Sequence, residues 1–136
     1  MATYIEGAMK AYLGAATAVT DICSTRIYFA KAPDRPTLPY VIFSTVADPH
    51  QGMYFDENGT KTKAGQRLMQ FTCIATKNTT AVNLQQEVMN RLRYASGSIQ
   101  GFTIERIMIE NMRQRIDPDT QHYLCDVDAR IEYFEA

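Results

Sequence analysis

From Gln121 to Phe134 two sets of side chains interleave without a break: Tyr123, Cys125, Val127, Ala129, Ile131 and Tyr133 against Leu124, Asp126, Asp128, Arg130, Glu132 and Phe134. Successive side chains of an extended chain point to opposite faces, so a run of this length with one apolar set specifies a β-strand with a buried face. Phe102 to about Arg115 has similar strand character, and Asp117-Pro118-Asp119 between the two runs supplies turn residues. The expectation is a long C-terminal β-ribbon. Arms of about a dozen residues at ~3.3 Å each reach roughly 40 Å, so part of the ribbon should project beyond its own core.

The rest of the chain must cover the apolar face of that ribbon. Thr3 and Glu6 have capping-box spacing, and Ile5, Ala8, Met9, Tyr12, Leu13, Ala16 and Val19 recur at helical spacing, which predicts one helix from Thr3 to about Thr20. Ile27-Tyr28-Phe29 reads as a short strand. It is ended by Ala32 to Pro39, where three prolines fix φ and withhold backbone donors. Tyr40 to Val46 and Gln66 to Ala75 read as strands, the second with Arg67, Met69, Phe71, Cys73 and Ala75 on its core face. Between Asp48 and Gly65 the composition turns polar, which predicts a long inter-strand loop interrupted by Met53, Tyr54 and Phe55. Thr79 or Thr80 is placed to cap a second helix, with Ala81, Leu84, Val88 and Leu92 on one side and Gln85, Gln86, Asn90 and Arg93 on the other. Ser96-Gly97-Ser98 ends it. The order predicts an α+β fold over residues 1–136 as one domain: an antiparallel sheet with two helices packed mainly on one face.

Little in the chain points to chemistry. His50 and His122 are the only histidines and stand at no metal-ligand spacing from Cys23, Cys73 or Cys125, which read as buried reduced thiols. Asp126 and Asp128 share a strand face as paired catalytic carboxylates do, but alternating charge equally marks the solvent face of an antiparallel strand. Asp56-Glu57-Asn58-Gly59 lacks calcium-loop spacing and reads as a loop tip. Asn58-Gly59-Thr60 and Asn78-Thr79-Thr80 match the glycosylation sequon without a secretory signal to make the match meaningful. No phosphate loop or nucleophile elbow is present, so neither a catalytic site nor a cofactor is expected. The formal charge of −1 offers no global field toward nucleic acid, and no apolar run is long enough to span a bilayer.

Arg26-Ile27-Tyr28-Phe29-Ala30-Lys31-Ala32-Pro33, followed by Leu38-Pro39-Tyr40-Val41-Ile42-Phe43, resembles the tail-completion or tail-terminator (head-tail joining) family of long non-contractile-tailed phages and prophages. The resemblance continues through the polar loop, the strand from Arg67 to Ala75, a helix ending near Leu92, and two late strands around an acidic-Pro turn. It implies a virion component made in the host cytoplasm. Six copies would form a ring at the head-proximal end of the tail, cap the tube, stop its polymerisation and meet the head-tail connector, while DNA passes through the lumen without specific binding.

A closed ring needs two different, complementary patches per subunit. Met53, Tyr54 and Phe55 in the loop, and Met112, Arg113 and Arg115 near the ribbon tip, are the expected contacts with a neighbouring subunit or the tube. Two other readings are another phage neck or baseplate component, and a small-molecule-binding α+β domain with a pocket between sheet and helices.

Overall fold

The structure is a computed structural model that describes residues 4–55 and 61–135, with side-chain environments for 4–46 and 65–134. In chain order the elements are α1 (Ile5–Gly14), α2 (Thr17–Cys23), β1 (Ile27–Phe29), β2 (Tyr40–Phe55), β3 (Lys61–Ala75), α3 (Asn78–Arg93), β4 (Gly97–Ile99), β5 (Phe102–Ile116) and β6 (Tyr123–Glu135). The strands form one sheet in the order β1-β2-β3-β6-β5-β4. All neighbours are antiparallel except β1 and β2, which run parallel, so the sheet is mixed rather than purely antiparallel.

One face of the sheet carries the core. Val41 and Phe43 of β2, Met69, Phe71 and Cys73 of β3, and Cys125, Val127, Ala129 and Ile131 of β6 are all buried there. Phe43 and Phe71, partners in register, stack with centroids 5.1 Å apart. The helices add Ile5, Met9 and Leu13 from α1, Val19 and Cys23 from α2, and Ala81, Leu84, Val88, Met89 and Leu92 from α3 to the same cluster. Burial of this apolar set is the main driving force for the fold.

Three helices, not two, supply that layer. The single N-terminal helix is broken because Ala16 is extended (φ −85°, ψ 113°), and α2 restarts on a new axis that still buries Val19 and Cys23. The expected capping box does not form at Glu6. The helix begins at Ile5 behind an uncapped Tyr4, Thr3 lies outside the described residues, and the Glu6 carboxylate accepts hydrogen bonds from Thr45 Oγ1 (2.8 Å) and Arg67 Nη1 (2.6 Å). Helix α3 likewise starts at Asn78 behind Lys77 with no side-chain cap, so neither Thr79 nor Thr80 plays that part.

The polar stretch expected as a loop is largely strand. β2 runs on to Phe55 and β3 starts at Lys61, paired from Phe55↔Lys61 back to Tyr40↔Ile74. Hydrogen bonds between strands satisfy the backbone whatever the side chains are, so polar residues are no obstacle to this pairing, and from Lys63 onward β3 is bonded to β6 as well. Pro49, which cannot donate to a ladder, falls in the gap between the pairs of Ala47 and His50. The acidic tip, residues 56–60, lies outside the described residues.

β5 and β6 are the long arms expected, joined by a turn in which Asp117 N–H donates to His122 O (2.9 Å) and Gln121 N–H to Asp117 O (2.8 Å). They are not a free ribbon, however. β6 also pairs with β3 from Ala75↔Tyr123 to Lys63↔Glu135 and so occupies the middle of the sheet.

Candidate interaction surface at the sheet edges

The six residues expected to make contacts fall into two groups on the two long outer strands. Met53, Tyr54 and Phe55 end β2, in register with Lys63, Thr62 and Lys61, while their side chains lie outside the described residues. Met112, Arg113 and Arg115 lie on the distal half of β5, in register with Val127, Asp126 and Leu124. β3 and β6 separate the two strands. The pairing runs Met53↔Lys63↔Glu135↔Phe102 at one end of the sheet and Phe43↔Phe71↔Val127↔Met112 towards the other. The sheet therefore holds the two groups apart, on opposite edges and towards opposite ends.

On β5 the alternation sorts side chains by face. Met112 and Ile116 share the face of the buried Val127 but are 44 % and 52 % exposed. Arg113 and Arg115 point to the opposite face and converge on Asp126 of β6. Arg115 Nε lies 3.0 Å and Arg113 Nε 3.6 Å from Asp126 Oδ2, and Thr72 Oγ1 donates to Oδ1 at 2.8 Å. Hydrogen bonding to Asp126 raises the Arg115 pKa further above its ordinary value. Asp126 was expected on the solvent face, yet it is 1 % exposed. The two long arginine stems and the threonine close over it, which a strand alternation cannot reveal.

Below that couple, on the helix side, Gln85 is completely buried rather than on the polar side of α3. Its Nε2 donates to the carbonyls of Asp126 (2.9 Å) and Arg113 (3.4 Å), tying α3 to the β5–β6 pair. At the turn, Asp117 Oδ1 accepts the Asp119 N–H at 3.0 Å, which holds its carboxyl below the usual range.

Among the described residues, these side chains pair with one another and assemble no reaction centre. Asp126 and Asp128 do share a face, but Arg113 and Arg115 neutralise the first, and Arg113 also reaches the second at 3.9 Å. No group of three metal-ligating side chains converges among the described residues. The three thiols are free and buried, and burial raises their pKa values, Cys73 most clearly, so they lack thiolate character. The space between sheet and helices, where a ligand pocket was the alternative, is filled by the core. A groove of about 450 Å³ does exist at the end of the sheet, between the proline loop and the β5–β6 turn, floored by Leu38, Tyr40, Ile74 and Leu124.

The family described as tail completion protein gp17 matches residues 7–133. The chain belongs to this family. It is thus a structural component of phage-type virions with a part in the tail, and not an enzyme. The fold recurs in a solved chain of the virion of a native gene transfer agent particle, with TM-score 0.70 and 16 % identity over 98 % of this chain and 99 % of that one. No curated protein matches. Within this tail completion protein, the residues that sequence reasoning missed are Gln85 and Asp126. A glutamine four residues after Ala81 and three before Val88, beside the exposed Gln86, and an aspartate in register with an arginine are the signals that point to them.

Proposed function

We propose that this protein is a tail terminator: a ring, of six copies, that caps the finished tail tube at its head-proximal end, stops further polymerisation and joins the head connector. The observation that carries this reading is the separation of two unlike contact groups on opposite edges of one sheet, in a chain of the tail completion family. Unlike patches make head-to-tail contacts, and these close into rings when the rotation allows it. Met53, Tyr54 and Phe55 supply one patch, and Met112, Arg113 and Arg115 the other. DNA passes through the lumen without a specific grip, in keeping with a formal charge of −1, since neutralised phosphates would add salt-dependent affinity and friction.

The test is native mass measurement of the purified protein, followed by electron microscopy after mixing with tail tubes. Rings at one end of each tube, with tubes that no longer elongate, are the expected result. A chain that stays single and ignores the tubes defeats the reading, and binding along the tube wall or at the distal end favours another tail component. Tyr54→Ser with Phe55→Ser should leave melting unchanged and weaken ring or tube contact. A sharp drop in melting with normal assembly would place these side chains in the core.

A further inference from the structure

Both long outer strands of the sheet have a bare side. β4 covers β5 only at Phe102–Ile104, and β1 covers β2 only at Val41–Phe43. Among the described strands none pairs with the outer side of β5 from Glu105 to Ile116, or with that of β2 from Ser44 to Phe55. An edge of this length is a template for another strand unless something guards it.

The main chain on these edges can be read from neighbouring contacts. Gln85 Nε2 touches the carbonyls of both Arg113 and Asp126, which are register partners. Two carbonyls that close belong to a pair exchanging hydrogen bonds, so the alternate residues Met112 and Gln114 aim N–H and C=O away from the sheet. On β2, Val41 N–H donates to Arg26 O and Ala30 N–H donates to Phe43 O, so odd positions face the outer side there and Thr45 continues the series past the end of β1. Each bare edge also carries apolar side chains without cover: Met112 (44 % exposed) and Ile116 (52 %) on β5, and Val46 (57 %) on β2.

We propose that the bare edge of β5, over Asn111–Ile116, pairs with the bare edge of β2 from a second copy, extending one antiparallel sheet from subunit to subunit. The inference rests on the ring reading and specifies its joint. Three observations select this partner. β2 and β5 run in opposite senses, through three successive antiparallel pairings, so a second copy related by an axis tilted to the strands, with the stagger of a few residues that sets Ser44 and the residues after it level with Asn111–Ile116, presents its β2 antiparallel to β5. Pairing β5 with another β5 would set Arg113 and Arg115 against their own copies, whereas β2 against β5 does not. The irregularities at Ile104/Arg106 and Ile109/Asn111 break the ladder nearer the start of β5 and leave Asn111–Ile116 as its longest unbroken paired run. A neighbour added there would bring its own helical layer alongside Met112 and Ile116.

The experiment compares wild type, Gln114→Pro and Val46→Lys by native mass measurement and melting. Proline at 114 removes a donor that no strand of the same copy uses, and lysine at 46 is a common guard on natural edges. Each variant alone should lose the ring while melting as wild type. An equimolar mixture should recover dimers and no ring, since one intact edge of each kind remains. Should Gln114→Pro melt lower, Gln114→Lys with Met112→Lys replaces it in the same comparison. If wild type forms rings and the edge variants form them equally well, the joint is elsewhere and the ring reading stands. If Val46→Lys alone still dimerises, β5 pairs with β5 and the proposal is overturned. A wild type that never assembles, even on tail tubes, overturns the ring and the joint together.

Discussion

Replacing Arg113 and Arg115 together by alanine strands the Asp126 carboxylate, 1 % exposed, with Thr72 as its only remaining side-chain partner of those described above. Either single change leaves one guanidinium in place, and both arginines are about half exposed, so solvent screening holds each single cost to about 1 kcal/mol. The double change leaves a buried charge without a counter-charge, for which the typical cost is roughly 3 kcal/mol or more. The coupling between the two sites is then about 1 kcal/mol or more, well above the additivity error of independent positions. Urea unfolding of the four variants, at a concentration where mass measurement finds a single species, gives the cycle directly. In thermal melts the double variant should fall by roughly 10 °C. Asp126→Asn in the double-alanine background removes the stranded charge and keeps an acceptor for Thr72, so it should restore part of the loss. Additive singles, or a triple variant no more stable than the double, would refute this account of the site.

Two further outcomes follow from the packing. A Cβ on Gly65 would stand 2.5 Å from Cζ of the Tyr133 ring, which covers the glycine from the paired strand, so Gly65→Ala should cost about 1–3 kcal/mol; in a Tyr133→Ala background the cost should shrink to about 0.5 kcal/mol or less, measured by the same cycle. Cys73, with its pKa raised well above 9.0 by burial and then by the neighbouring thiols and Asp126, is protonated when folded and ionises when unfolded, so its contribution is whole below pH ~9 and is lost as pH rises towards the folded value. Denaturation from pH 7 to 10.5 should show stability falling above pH ~9, with a shallower fall in Cys73→Ala; equal slopes would contradict it.

The strand pattern of β6 and the apolar spacing of α1 and α3 were legible in the sequence because each buried side chain there is itself apolar. Val127, Ile131, Met9 and Leu84 declare their faces. What was hidden depends on partners distant in sequence. Asp126 is buried by arginines on another strand, Gln85 by carbonyls on β5 and β6, and Glu6 by Thr45 and Arg67. The β2–β3 extension was missed because Lys61, Thr62 and Lys63 give no apolar alternation to mark a strand, although they pair with Phe55, Tyr54 and Met53. Of the residues expected to make contacts, Met112, Arg113 and Arg115 lie together on the distal half of β5, whereas the opposite faces of methionine and arginines follow only from the pairing with Val127 and Asp126.

The last strand in the sequence, β6, is also a central one, bonded along its length to β3 on one side and β5 on the other. During synthesis, β3 and β5 have no lateral link until this segment leaves the ribosome and inserts between them. The fold therefore closes late and through contacts far apart in sequence, a topology that slows folding. The joint proposed at the outer edge of β5 accordingly waits on β6, since among the described strands β6 alone ties β5 to β3.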